Sequence, residues 1–256
     1  MASHADIIII TGATGAIGSA LSQRVAAAMQ PGGIFAGAHL VLACRNLAKA
    51  QSLKQAIASR CGETAVEVTR LDLADEESVK TFAAGMARRQ GAMMLVNNAG
   101  VMRRHYGRDA AGRELSLAVN YHNTRLLTDM LLHTGRLRRV VFTTSLTRFF
   151  FHAGVPCRAV TERSFRQLRT YGFSKRLITD YAAALHREGR AEVACADPGV
   201  VDTGMIAMQR WYDPLANILF RPFIRTPRQG ADPAWRAMTL KPGFIYCRHR
   251  IRNLSK

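Results

Sequence analysis

The chain has 256 residues, 48% hydrophobic and 21% charged, a size and balance suited to one large α/β domain or at most two small ones. It holds no run of about 18 apolar residues and no leader-like start, and its five scattered cysteines (Cys44, Cys61, Cys157, Cys195, Cys247) include no C-x-x-C pair, which excludes a spanning helix, a disulfide framework and a metal site from the expectations and favours a cytoplasmic protein. The net charge of +18, from 36 Lys and Arg against 18 Asp and Glu, would attract anionic partners, but no uninterrupted basic tract or nucleic-acid module accompanies it, so a basic solvated surface is expected rather than nucleic-acid binding.

The first predicted element is a strand at Asp6 to Thr11, whose isoleucine run suits a parallel sheet covered on both faces. Gly12, Gly15 and Gly18 then turn the chain into a helix running to about Met29. Glycines there permit a tight turn and let backbone N–H groups and a helix N-terminus approach a pyrophosphate, so Gly12, Thr14, Gly15, Ile17 and Gly18 are candidate dinucleotide contacts. A second strand, His39 to Ala43, leads into Cys44-Arg45-Asn46. An acidic residue at that place would bind the free ribose hydroxyls of NAD; Arg45, with Asn46 beside it, can instead pair with a 2′-phosphate, which predicts NADP(H) over NAD(H).

Helices are predicted over Leu47 to Ser59, Glu76 to Gln90, Arg113 to Leu132, Tyr171 to Glu188 and Arg228 to Met238. They alternate with strands near Val66 to Leu71, Met93 to Asn97, Arg139 to Thr144, Glu192 to Ala196 and Phe244 to Cys247. This alternation predicts an α/β fold, a Rossmann-type doubly wound parallel sheet with helices on both faces, in a single domain over residues 1–256. On the helix from Tyr171, Lys175 follows one turn later and shares its face. A fixed cation favours a phenolate, so Lys175 is expected to bring Tyr171 from its usual value near pH 10 toward neutrality as a proton donor or acceptor, the chemistry of a carbonyl reductase or alcohol dehydrogenase.

Residues 205–225 hold many large apolar side chains, and Pro214 and Pro222 prevent a spanning helix. Placed after the sixth strand, the segment is expected to cover the carboxyl edge of the sheet as a mobile lid over an apolar substrate. Trp211, Leu215, Leu219 and Phe223 would equally serve as core or as a dimer contact, and Arg210, Arg221 and Arg225 permit shallow peripheral contact with an anionic bilayer.

Thr11-Gly-Ala-Thr-Gly15-Ala-Ile-Gly18 resembles the cofactor motif of the short-chain dehydrogenase/reductase family, and the resemblance continues in order along the chain. Asp72, in Arg-Leu-Asp-Leu73, is similar to the family's adenine contact, and Asn97-Asn98-Ala99-Gly100 to its fourth-strand motif. Asn120, in Ala-Val-Asn-Tyr-His, matches the helical asparagine that holds a water in the proton relay. Ser145 ends the fifth strand, Tyr171 and Lys175 follow, and Pro198-Gly199-Val-Val201-Asp-Thr203 resembles the loop that contacts the nicotinamide carboxamide. The resemblance implies an oxidoreductase moving a hydride between a nicotinamide cofactor and an alcohol or carbonyl group. Ser145 would bind the substrate oxygen, Tyr171 exchange its proton, Lys175 hold the ribose hydroxyls and lower the tyrosine's pKa, and Asn120 complete the relay.

The Gly-x-x-Gly-x-x-Gly spacing resembles the family's extended branch, whereas length and Asn97 to Gly100 favour the shorter one. The 25 residues between Ser145 and Tyr171, with Ala43 to Asn46 and Thr226 to Ala231, resemble the retinol dehydrogenase-like reductases. That implies a retinoid-, steroid- or lipid-like aldehyde or ketone as the small-molecule substrate, with homo-oligomerisation left open. The alternative, a catalytically silent dinucleotide-binding regulator, would be expected to lose Tyr171 or Lys175, and both are present.

Overall fold

A computed structural model describes residues 5–62, 65–149, 160–201, 225–247 and 250–254. Cys157, Thr203 and all of the expected lid except Arg225 lie outside the described residues. In chain order the elements are β1 (Ile7–Thr11), α1 (Ala16–Ala28), β2 (His39–Cys44), α2 (Leu47–Cys61), β3 (Val66–Arg70), α3 (Glu76–Ala87) and β4 (Met93–Asn97). Then come α4 (Leu115–Leu117), a π-helical turn (Ala118–His122), α5 (Asn123–Leu132), β5 (Leu137–Thr143), a 3-10 turn (Leu146–Phe149) and α6 (Gln167–Glu188). β6 (Glu192–Ala196), α7 (Pro227–Thr239), β7 (Phe244–Tyr246) and β8 (Ile251–Asn253) complete the fold.

The isoleucine run is explained by the two cores it separates. Side chains alternate across a strand, so Ile7 and Ile9 pack with Phe82, Leu127 and Ile178 on one face, while Ile8 and Ile10 pack with Leu21, Ile57 and Ala234 on the other. Helices α3, α5 and α6 therefore cover one face, and α1, α2 and α7 the opposite one. The strand order is β3-β2-β1-β4-β5-β6-β7-β8, with β1 through β7 paired in parallel and β8 antiparallel to β7. The chain winds outward from β1 to β3, returns to β4 and winds outward again. At that reversal the loops leaving β1 and β4 diverge and open a crevice at the carboxyl edge, where ligands bind in such sheets.

Local chemistry sets the helix ends. Asn46 caps α2 through the N–H of Lys49, Asp75 caps α3 through that of Glu77, and Thr226 and Gln229 form a reciprocal capping box on α7 with Pro227 in its first turn. α6 stops at Gly189, which takes a φ of +68°. Several elements differ from expectation: the helix expected over Arg113 to Leu132 begins at Leu115 and is interrupted by the π-helical turn at Ala118–His122. α6 starts one turn before Tyr171, because a turn closed by hydrogen bonds between Thr161 and Ser164 delivers the chain early. α3 stops at Ala87, with Arg89 N–H closing back onto Met86 O. The short β8 has no alternating apolar pattern and all three of its residues are exposed, so nothing in the sequence marked it.

Within the basic cluster of Arg136 to Arg139, one member turns inward. Arg139 is 2% exposed, its Nε donates to Glu192 Oε2 at 2.7 Å, and its Nη1 donates to the carbonyl oxygens of Met238 (2.6 Å) and Leu240 (2.9 Å). A cation there meets the negative end of the α7 dipole. Among the described residues no helix is long and apolar enough to cross a membrane.

Candidate active site

A cleft of about 400 Å³ opens at the carboxyl edge of β1, β2 and β4, lined among others by Gly12, Thr14, Gly15, Ile17, Gly18 and Asn98. Its walls depend on missing side chains. Gly12 has a φ of +62°, and a Cβ on it would lie 2.9 Å from Ala99 Cα; a Cβ on Gly18 would lie 2.3 Å from Gly12 O and 2.8 Å from Asn98 Nδ2. The loop is held from beneath by Asn98, whose Nδ2 donates to Thr11 O at 2.9 Å, while Ala99 N–H donates to Thr11 Oγ1 at 3.0 Å. Gly15 caps α1 with no side-chain hydrogen bond and no acidic residue in the first turn, so that helix end offers open N–H donors to an anion. These glycine approaches and uncapped amides fit a pyrophosphate.

At the outer end of the cleft Arg45 and Asn46 line the wall, and both are exposed. Lys49 lines it too. Sequence reasoning missed Lys49; the signal was its place three residues beyond the cap Asn46, one helical turn from Arg45. Asp72 and Leu73 also line the cleft. Asp72 Oδ1 accepts from Ala74 N–H at 3.0 Å and its own N–H donates to Ser78 Oγ at 3.0 Å, which fixes the turn into α3.

Gly100 joins this cleft to the residues expected to be catalytic. A Cβ on Gly100 would lie 3.1 Å from Lys175 Nζ and 3.5 Å from Asn120 Oδ1. Lys175 is 3% exposed, and its Nζ donates to Thr143 O at 2.8 Å. Asn120 lies in the π-helical turn; its Oδ1 accepts from Val101 N–H at 2.8 Å, and its Nδ2 donates to Val101 O (2.8 Å) and Ser174 Oγ (2.9 Å). The asparagine side chain thus clamps the segment after β4 against α6. Ser174 Oγ in turn donates to Tyr171 O at 2.7 Å.

Ser145 sits between β5 and the 3-10 turn, and its Oγ accepts from Thr147 Oγ1 at 3.0 Å and hydrogen-bonds the half-buried Tyr171. The expected pKa of Tyr171 needs correction. Burial pushes the phenol up to about 12, outweighing the hydrogen bond from Ser145 that favours phenolate, and Asp197 raises it further. Lys175 does not bring it toward neutrality: Nζ stands 5.7 Å from the ring centroid, and burial depresses the ammonium's own pKa to about 8 despite opposing contributions from Asp197 and Cys195. Desolvation therefore outweighs the cation's influence in this site.

Pro198, Gly199 and Val201 lie beyond β6 and do not line the cleft. Arg225 Nη1 donates to Pro198 O at 2.7 Å, and Val201 is buried in a bridge with Arg225. Thr203 cannot be placed, being outside the described residues.

The short chain dehydrogenase family model matches residues 6–212. Over 240 residues the chain is 30% identical to retinol dehydrogenase 11 from Homo sapiens, covering 88% of this chain and 70% of that protein. Retinol dehydrogenase 12 from Homo sapiens is 29% identical over 232 residues, covering 88% and 71%. Among solved structures, a short-chain dehydrogenase from Sphingobium yanoikuyae in complex with NADPH aligns with a TM-score of 0.67 at 19% identity, over 93% of this chain and 87% of that one. L-sorbose reductase from Gluconobacter frateurii, complexed with NADPH and L-sorbose, aligns with a TM-score of 0.69 at 16% identity, over 95% and 94%. These two structural likenesses speak to the fold alone.

Proposed function

Since the chain belongs to the short-chain dehydrogenase family, oxidoreductases acting on alcohol and carbonyl groups, we propose that it is an NADP(H)-preferring enzyme that reduces an apolar aldehyde or ketone, or oxidises the matching alcohol. The observation that carries the reading is the meeting of Ser145, Tyr171, Lys175 and Asn120 at the Gly100 end of a glycine-walled cleft. The nicotinamide, when bound, supplies or accepts the hydride.

The protein's part is to bind, orient and move a proton. The N–H groups at the start of α1 and the Gly12 to Gly18 loop would hold the pyrophosphate, with Asp72 and Leu73 on the adenine side and Pro198, Gly199, Val201 and Thr203 toward the carboxamide. Arg45 and Lys49 would hold a 2′-phosphate, which favours NADP(H) because a divalent anion gains more from two cations than a pair of ribose hydroxyls does. A substrate carbonyl oxygen would accept from Ser145 Oγ and from the Tyr171 hydroxyl. With its pKa near 12, that hydroxyl carries its proton at neutral pH and can give it to a developing alkoxide. Lys175 would bind ribose hydroxyls through Nζ, and Asn120 would act in the relay by fixing Val101 and Ser174.

The identity to retinol dehydrogenase 11 supports a retinoid-, steroid- or lipid-like substrate. The same reading takes residues 1–256 as one domain, residues 205–225 as its substrate lid, and the cytoplasm as its location. It is tested by screening retinal, long-chain aldehydes and steroid ketones against NADPH and NADH oxidation by the purified full chain. Turnover with none of them by a protein that binds NADPH would instead support a cofactor-sensing protein.

A further inference from the structure

Two buried charges beside the site touch neither substrate nor cofactor in the mechanism above. Arg148 and Asp197 are each 2% exposed, and Arg148 Nη1 donates both to Asp197 Oδ2 at 2.8 Å and to the main-chain carbonyl of Ser145 at 2.7 Å. The other carboxylate oxygen of Asp197 accepts from Gly199 N–H at 3.0 Å, at a turn where Gly199 takes a φ of +72°. One ion pair thus spans the carboxyl ends of β5 and β6. It grips the main chain of the residue whose hydroxyl meets Tyr171, and it shapes the Pro198-Gly199 turn.

Stability alone accounts poorly for this arrangement. Desolvating two ions is costly, a well-packed apolar pair often serves as well or better, and Arg148 Nη2 has no hydrogen-bond partner among the described residues. We propose that Arg148 and Asp197 are positioning residues that lock Ser145 and the Pro198-Gly199 turn into one unit, fixing the donor to the substrate oxygen relative to the nicotinamide end of the cofactor. The proposal rests on the catalytic reading of Ser145 and Tyr171.

The charged and titratable groups around the pair come from several elements. Tyr171 and Lys175 face it from α6, Cys195 from β6 and Cys247 from the end of β7. Arg225 donates to Pro198 O, and Arg252 of β8 lies 4.8 Å over the Phe149 ring that Arg148 also covers at 4.2 Å. Asp197 favours the charged form of Lys175. Neutralising it must move the lysine's titration to lower pH.

The test compares Asp197→Asn, Arg148→Lys and the double variant Arg148→Met/Asp197→Asn with wild type and with Tyr171→Phe. NADPH affinity is read by cofactor fluorescence, which needs no substrate, and decanal reduction is followed from about pH 6 to pH 10. In Asp197→Asn, kcat should fall roughly 10²-fold, as for misplacement by about 1 Å. NADPH affinity should weaken, and the alkaline limb should move to lower pH. Arg148→Lys keeps the charge balance without the guanidinium fork, so it should stay folded and still lose turnover. The double variant buries no lone charge and should fold while keeping the low kcat. Wild-type kcat, NADPH affinity and alkaline limb in the folded variants would overturn the pair's role. Tyr171→Phe answers separately for the catalytic reading: full activity there sinks that reading, whatever the pair does.

Discussion

Lys175 Nζ donates to the carbonyl oxygen of Thr143 across 2.8 Å while the centroid of the Tyr171 ring lies 5.7 Å from the same nitrogen. The ammonium is anchored to the end of β5, and the two groups keep separate titrations, about 8 for the lysine and about 12 for the tyrosine.

A phenol that stays protonated is a proton donor whose loss should show in turnover and not in binding. Tyr171→Phe keeps the ring's packing and should lower kcat by ~10²–10⁴-fold, the usual contribution of a general acid. NADPH affinity should stay within about twofold. Near wild-type reduction of any good carbonyl substrate would remove Tyr171 from the mechanism.

The depressed lysine gives a pH dependence of defined sign. Reduction should hold steady to about pH 8 and decline above it as Lys175 deprotonates. The folded value lies below the ordinary 10.5, so between those values the unfolded chain binds more protons, and this residue's contribution to stability rises with pH across that window. Lys175→Met should accordingly raise the melting temperature of the cofactor-free protein at pH 7 and weaken NADPH binding. A lower melting temperature would mean that its hydrogen bond to Thr143 outweighs the burial cost.

Cofactor choice turns on two cations. Arg45→Ala should weaken NADPH by roughly 10–100-fold, the worth of a hydrogen bond between charged groups, and leave NADH nearly unchanged. Lys49→Ala should act in the same direction. Parallel titrations decide it, and equal affinities for both cofactors in the wild type would count against a phosphate site.

Glu67 carries an acid-sensitive contribution to stability. Arg89 beside it, helped by Thr69 and His39, holds its carboxyl down to about 2 against burial. The folded value lies below the ordinary one of 4.5, so the contribution is complete above pH 4.5 and is lost as pH falls through about 2. Glu67→Gln should melt lower than wild type at pH 7, with the difference shrinking steadily in acid. Because the carboxylate is about a third exposed, solvent screening keeps the effect small. A difference independent of pH would assign the loss to packing.

The lid reading predicts selective damage. Trp211→Ser and Leu215→Ser should impair bulky lipophilic carbonyls far more than small ones and leave NADPH affinity intact. Equal loss on both, or loss of folding, would make the segment core or interface.

The sheet was legible because its signals are local. Four consecutive isoleucines at Ile7 to Ile10 require cover on both faces, and the glycines at 12, 15 and 18 follow where a strand must become a helix. Tyr171 and Lys175 were legible from helical spacing. Their titration was not, because burial comes from packing that spacing does not report. The Arg148–Asp197 pair was hidden for a related reason: its partners lie 49 positions apart, and each looks like an ordinary surface charge in its own neighbourhood. Asn120 was found by motif, but that its amide is committed to Val101 and Ser174 follows only from the π-helical turn that presents it.

Arg139 sets a condition on the order in which the chain can fold. Its strand emerges from the ribosome well before the carbonyl oxygens that receive it, which lie 99 and 101 residues downstream at Met238 and Leu240. Until the end of α7 arrives, burying that guanidinium would leave it, among the described residues, with only the partly exposed Glu192, a cost of several kcal/mol for an incompletely compensated ion. The centre of the sheet is thus the part of the molecule that must wait for its tail. A nascent chain or a fragment ending short of residue 240 should leave the Arg139 end of β5 open to solvent.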